Sequence, residues 1–122
     1  QLYRDIILEH WKHPHHYGFI ANPTVSITKS NPLCGDVITI TAAIDNGTIV
    51  AIGFVSEGCA ISKASASILG DFVTGEPLEQ IKNISPEAFL NELGIVLTPS
   101  RTKCALLSYQ ALAQGISSKS AS

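Results

Sequence analysis

Val37-Ile38-Thr39-Ile40-Thr41-Ala42-Ala43-Ile44-Asp45-Asn46-Gly47-Thr48-Ile49-Val50-Ala51-Ile52-Gly53-Phe54-Val55 consists of two alternating apolar runs joined by Asn-Gly. Those two residues tolerate the positive φ that a type I′ turn needs at both central positions, so the stretch reads as a β-hairpin of Val37 to Ile44 and Thr48 to Val55. Ile38, Ile40, Ala42 and Ile44 share one face of the first arm, and Val50, Ile52 and Phe54 share one face of the second. With Asn46-Gly47 as the whole loop, Asp45 pairs with Thr48. The same register then sets Asp36 opposite Glu57 and Cys34 opposite Cys59. Opposed residues carry Cβ atoms about 4.5–5.5 Å apart, within range of a shared metal or a disulfide. This holds only if Pro32, Gly35 and Gly58 neither end the ladder early nor insert a bulge.

Outward from the hairpin, Pro23 to Ser30 alternates Val25 and Ile27 against Ser26 and Thr28, which predicts a first, half-buried strand. One covered face and one polar face make a small antiparallel sheet with helices on one side. Leu2 to Trp11 has helical apolar spacing and stops before Pro14. After Cys59 the period changes: Ile61, Ala64, Ile68 and Phe72 predict a helix over Ala60 to Val73, kept thin by Ala64, Ser65, Ala66 and Ser67 and stopped by Gly75. Pro77 to Asn83 and Pro86 to Leu93 read as short helices, the second capped by Ser85 and closed by Gly94. A last helix is expected from Pro99 to Gln114, capped by Thr98 and stopped by Gly115, with Ser117 to Ser122 as a frayed tail.

The 122 residues read as one domain, 1–122, large enough to build a core without metal or disulfide staples. A net charge of −2 and a pI near 6.0 leave no Lys/Arg stripe for nucleic acid. No apolar run reaches the roughly 18 residues of a membrane span, and Arg4, Asp5 and Glu9 do not fit a signal peptide. A cytoplasmic or organelle-matrix protein with no membrane partner is therefore expected. Gln1 stands first instead of Met, so the natural start is expected upstream. Three cysteines in a reducing compartment argue against a disulfide framework and leave thiol chemistry, metal binding or plain burial.

Cys59 is placed to begin one helix and Cys104 to sit in the first turns of another, where unpaired amides and the positive dipole end favour a thiolate. Arg101 and Lys103 add positive charge near Cys104. A thiolate is both a nucleophile and a soft-metal ligand, so this setting suits sulfur transfer or metal binding. Asp36 adds a carboxylate beside Cys34, or else braces the Gly35-Asp36 turn through an Asx bond. Nothing in the spacing brings Cys104 to the other two thiols. Protonated Lys103 has no lone pair, so its expected role is to lower the Cys104 pKa, not to ligate. His10, His13, His15 and His16 gather at the end of the first helix, where complementing the dipole and capping carbonyls is preferred over metal binding.

Three motifs stand in order: Asn31-Pro32-Leu33-Cys34-Gly35-Asp36; Glu57-Gly58-Cys59-Ala60-Ile61-Ser62 with Ala64-Ser65-Ala66-Ser67; and Arg101-Thr102-Lys103-Cys104-Ala105. Together with Leu2-Tyr3-Arg4 they resemble the U-type iron-sulfur cluster scaffold family (IscU, SufU and the N-terminal domain of NifU). The resemblance implies an α+β fold of the SufE/IscU-like kind, a three-stranded antiparallel sheet with helices packed on it. It also implies that Cys34, Asp36, Cys59 and Cys104 form one site for iron, a transient iron-sulfur cluster or, alternatively, zinc. The sulfur acceptor would be Cys104 in IscU-like members and Cys34 in SufU-like ones. The implied function is a scaffold that takes sulfur from a cysteine desulfurase and passes iron or a cluster to apo-proteins. The alternative is a zinc-dependent sulfurtransferase, and whether the chain is an enzyme stays open. Lys103 stands where IscU-like members have histidine, and Lys103-Cys104-Ala105 with Ser108-Tyr109-Gln110-Ala111-Leu112 is similar to SufU. The spacing from Cys59 to Cys104 is IscU-like, without the SufU-like insertion, which suggests a SufU-like protein of shortened form. Leu97-Thr98-Pro99-Ser100-Arg101 departs from the Leu-Pro-Pro-Val-Lys segment by which IscU-like scaffolds engage an Hsp70-type chaperone, so the resemblance does not carry that partner over.

Overall fold

The computed structural model of the protein describes residues 2–31, 35–94 and 98–120. Cys34 and Leu97 lie outside these residues, and with Cys34 the expected pairing to Cys59. The elements run α1 (Leu2–Lys12), β1 (Val25–Asn31), β2 (Asp36–Asp45), β3 (Thr48–Glu57), α2 (Ala60–Val73), α3 (Leu78–Lys82), α4 (Pro86–Leu93) and α5 (Pro99–Ser120). The strands form one antiparallel sheet in the order β1-β2-β3. Asn46 and Gly47 close the hairpin with φ of 52° and 74°, the positive pair that the Asn-Gly turn supplies. On the other side of β2, β1 ends with Asn31 facing Asp36.

The expected register survives only next to the turn. Asp45 pairs with Thr48 and Ile44 with Ile49, but a bulge at Ala43/Ile44 leaves Val50 as the extra residue of β3. From Ala43↔Ala51 onward every pair is displaced by one, so Val37, in place of Asp36, faces Glu57. Ile49 is fully buried and Val50 is 54% exposed, which reverses the face expected for Val50. The bulge answers to the far side of β3, where the Ile49 N–H donates to Glu76 O (3.1 Å) and the Gly75 N–H to Ile49 O (2.7 Å).

Period two puts Asp36 on the same face of β2 as Ile38, Ile40 and Ala42, and all four are buried. Helix α5 lies on β1 and β2, α2 lies against β3 and α5, and α1 packs on α2. The thin stretch of α2 allows this close approach: Ala64, Ser65, Ala66 and Ser67 are all buried. Ile38, Ile49, Leu69, Phe89, Leu93 and Ile116 form the centre of the core, each contributing about 1.5–3 kcal/mol by leaving water. Gly115 does not stop the last helix, which continues to Ser120. It is buried against β1, where a Cβ would stand 2.8 Å from Val25 Cγ1, so the residue is small to admit the strand. The tail expected to fray is helical as far as residue 120.

The segment after α1 runs along the outer edge of β3. The Phe54 N–H donates to His16 O (2.9 Å) and the Gly18 N–H to Phe54 O (2.7 Å). With the Gly75–Glu76 backbone at its other end, this covers an edge strand that would otherwise pair with foreign chains. Gly53 allows the crossing, since any Cβ there would collide with the Gly18 carbonyl oxygen.

Candidate functional site

Asp36, Cys59 and Cys104 come from three elements and meet where those elements converge. Asp36 starts β2 on the covered face. Cys59 leaves β3 with φ −74° and ψ 147° and is the N-cap of α2, its Sγ accepting the Ile61 N–H at 3.3 Å. Thr98 caps α5 by accepting the Arg101 N–H at 3.3 Å. One turn later Cys104 lies on the buried stripe of Cys104, Ser108, Ala111 and Gly115.

One donor atom from each of the three residues falls within 4.8 Å of the others. Asp36 Oδ1 accepts the Cys59 N–H at 2.6 Å and Oδ2 accepts the Ser62 hydroxyl at 2.9 Å. Ser62 Oγ is also 3.2 Å from the Cys104 carbonyl oxygen, so one small side chain on α2 ties β2 to α5. Arg101 Nη1 stands 3.7 Å from Cys59 Sγ. Asp36 and Cys104 are 0% and 2% exposed. Cys59 is half-buried and Arg101 exposed, so the site opens to solvent on their side.

Burial pushes the Asp36 carboxyl up, but hydrogen bonds from the Cys104 thiol, the Cys59 N–H and Ser62, with the Arg101 charge, hold it below the ordinary carboxylate range. An ionised carboxylate has about four lone-pair sites, so these donors leave room for a metal once the Cys104 proton departs. Two sulfurs and one oxygen at this spacing fit zinc, iron or an iron-sulfur cluster as a donor set.

Gly58 is part of this construction. Its φ is +124°, and a Cβ there would strike the Asp36 carboxylate. Gly58→Ala is therefore expected to cost about 2–3 kcal/mol through strain and displacement of Asp36. It should also weaken zinc binding in a chelator competition. Wild-type stability and affinity would show that the carboxylate has freedom this packing denies it.

Cys59, Cys104 and Asp36 are thus brought together, as expected, including Cys104, which spacing alone could not place. Lys103 is exposed and lines a groove of about 220 Å³ with Lys29, Ser30, Asn31 and Leu106, while the cation that reaches a thiol is Arg101. Ser62 escaped the sequence reading. Its signal was a hydroxyl three residues after the capping Cys59, on the first turn of a helix whose buried stretch is built of small residues. The histidines also differ from expectation. His10, His15 and His16 bond to Ser67 and Asp71 of α2, in place of the expected capping role. Burial, and next the neighbouring His15, lower the His10 pKa, so its ring is neutral at neutral pH.

Comparison with known proteins agrees with this architecture. The chain is 33% identical to the "Zinc-dependent sulfurtransferase SufU" of Bacillus subtilis, the match covering 94% of this chain and 89% of that protein. It is 32% identical to the "Iron-sulfur cluster assembly scaffold protein IscU" of Streptococcus pyogenes, over 94% and 82% of the two chains. A crystal structure of a putative iron-sulfur cluster assembly scaffold protein for the SUF system from Fervidobacterium islandicum superposes with a TM-score of 0.78 at 26% identity, covering 92% of this chain and 94% of that one. The family described as "NifU-like N terminal domain" matches residues 2–121. The chain belongs to the NifU-like N-terminal domain family.

Proposed function

We propose that this protein is an iron-sulfur cluster assembly scaffold, and the observation that carries the reading is the convergence of Asp36, Cys59 and Cys104 at the open end of the sheet. A cysteine desulfurase supplies sulfane sulfur as a persulfide, a thiol reductant gives the two electrons that release it as sulfide, iron joins it, and the cluster is held as cargo by Cys34, Asp36, Cys59 and Cys104 until an apo-protein takes it. Cys34 precedes Asp36 by two residues in sequence. Oxygen is a harder and weaker partner for such a cluster than thiolate, so a set with one carboxylate is suited to release. Among the described residues no helix is long and apolar enough to cross a membrane, and we place this work in the cytoplasm.

A second reading, a zinc-dependent sulfurtransferase, is favoured by one contact. Arg101 Nη1 lies on Cys59 Sγ, where a guanidinium stabilises a free thiolate. Zinc bound by the same residues would keep the thiolates deprotonated. The alignments to SufU and to the streptococcal IscU each run over 132 positions, more than the 122 residues here, so those relatives carry segments that this chain lacks.

Reconstitution distinguishes the readings. Incubated without oxygen with cysteine, a cysteine desulfurase, ferrous iron and a thiol reductant, the protein is expected to gain iron, labile sulfide and visible absorption, and to convert an apo-ferredoxin to its holo form. A colourless product that keeps about one zinc per chain and passes on only persulfide sulfur would overturn the scaffold reading in favour of the second.

A further inference from the structure

The segment between α1 and β1 and the middle of α2 form a second group of metal-ligating side chains, far from the thiols. His10, on the last turn of α1, is bonded through Nδ1 to Ser67 Oγ at 2.6 Å. Ser67 also accepts the backbone N–H of His15 at 2.7 Å. His15 Nδ1 lies 2.6 Å from Asp71 Oδ2 and His16 Nε2 lies 2.8 Å from Asp71 Oδ1, so two imidazoles share one carboxylate. The His10 and His15 rings are 4.6 Å apart between centroids. Gly70 provides the space, because a Cβ there would meet the His16 ring at 2.6 Å.

We propose that His10, His15 and Asp71 form a second divalent-metal site, free of thiolate, for an ion of zinc-like preference. Each residue offers one donor atom, and the three atoms lie within 4.8 Å of one another. Ligands at about 2.0–2.1 Å around a tetrahedral ion stand roughly 3.3 Å apart, so no pair of donor atoms has to shift by more than about 1.5 Å. His15 and Asp71 have side chains 51% and 45% exposed and can rotate by that amount, whereas His10 is held on Ser67 and fixes the site. Ser67 and His16 act as the outer partners that orient an imidazole and a carboxylate in metal sites. Each imidazole binds in its neutral form and releases to solvent any proton on the ligating nitrogen. Three protein ligands leave further positions to water, so the site holds its ion more weakly than a thiolate set and exchanges it readily. Asp71 is twelve residues beyond Cys59 on α2, about 18 Å along the axis, too far for one ion to touch both groups.

The test uses the intact protein with its thiols first filled by one equivalent of zinc, followed by titration with cobalt(II). The wild type is expected to bind a further equivalent with visible d-d absorption and no thiolate-to-cobalt charge-transfer band. His15→Asn and Asp71→Asn, at exposed positions, should each weaken that binding at least about tenfold, while His13→Asn should leave it unchanged. Unchanged thermal midpoints verify that the variants are folded, and His15→Asn alone decides if Asp71→Asn unfolds. The proposal is overturned by a wild type that takes up no second equivalent, by wild-type affinity in His15→Asn, or by an equal loss in His13→Asn. None of these outcomes bears on the thiol site.

Discussion

Asp36→Ala in the metal-free protein is expected to cost about 3–5 kcal/mol, a large share of the 5–15 kcal/mol that holds a domain together. The side chain is fully buried and accepts from the Cys59 N–H at 2.6 Å and the Ser62 hydroxyl at 2.9 Å. Truncation leaves the Cys59 N–H without its acceptor, returns the Ser62 hydroxyl to the Cys104 carbonyl alone and empties a buried space, each loss costing about 1–3 kcal/mol. Asp36→Asn preserves the shape and one acceptor oxygen, and should cost roughly 1–2 kcal/mol. The pH dependence has a definite sign. Burial raises the Asp36 pKa, but the Cys104 thiol, the Cys59 N–H, Ser62 and Arg101 bring the folded value below the ordinary one. The carboxylate therefore contributes its full stability above the unfolded pKa, near about 3.9, and loses it as pH falls through the folded pKa. Urea unfolding at a series of pH values, with chelator present, should show the gap between wild type and Asp36→Asn narrowing towards acid. A gap that widens there would mean that Asp36 is not an ionised acceptor.

How much of this was legible in the chain depended on whether the signal was local. The Asn46-Gly47 turn, the N-caps Ser85 and Thr98 and the limits of α2 and α4 each rest on residues adjacent in sequence, and the structure has them where expected. The bulge at Val50 carries no such mark, because Ile49 and Val50 are both β-branched and either suits the core. What selects Ile49 is its pairing with Gly75 and Glu76, a contact across many residues. Gly115 misled for the same reason: a glycine near a helix end reads as a stop, and only the strand packed against it shows that it admits Val25. Spacing could associate Cys59 with Asp36 through the hairpin. Cys104 joins them because α5 crosses the same sheet face and Ser62 bridges the two, which no periodicity encodes. Asp36 could have been either a brace or a ligand in sequence. In the structure it braces α2, and the same bonds favour its ionised form, the one a metal would need.

Cys104→Ser is expected to weaken zinc binding by more than about 100-fold, beyond the 10–100-fold that an outer partner such as Ser62 should cost on conversion to alanine. A serine hydroxyl stays protonated at neutral pH, is a hard donor where thiolate is soft, and sits on a shorter bond to carbon, so it does not replace the ligand. Cys104 is only 2% exposed, which leaves little room for water to fill the lost position. Cys59 is half-buried and faces Arg101, so Cys59→Ser should lose somewhat less, because water can enter on that side. Cys34→Ser should fall with these two if the four residues share one ion. Lys103→Ala should retain wild-type affinity, since its ammonium has no lone pair and its side chain lines a groove with Lys29. Chelator competition at fixed pH measures all five variants, and far-UV circular dichroism of the metal-free forms separates ligand loss from unfolding. A folded Cys104→Ser protein that holds zinc as tightly as wild type would remove Cys104 from the ligand set and leave it as a hydrogen-bonding and packing partner of Asp36.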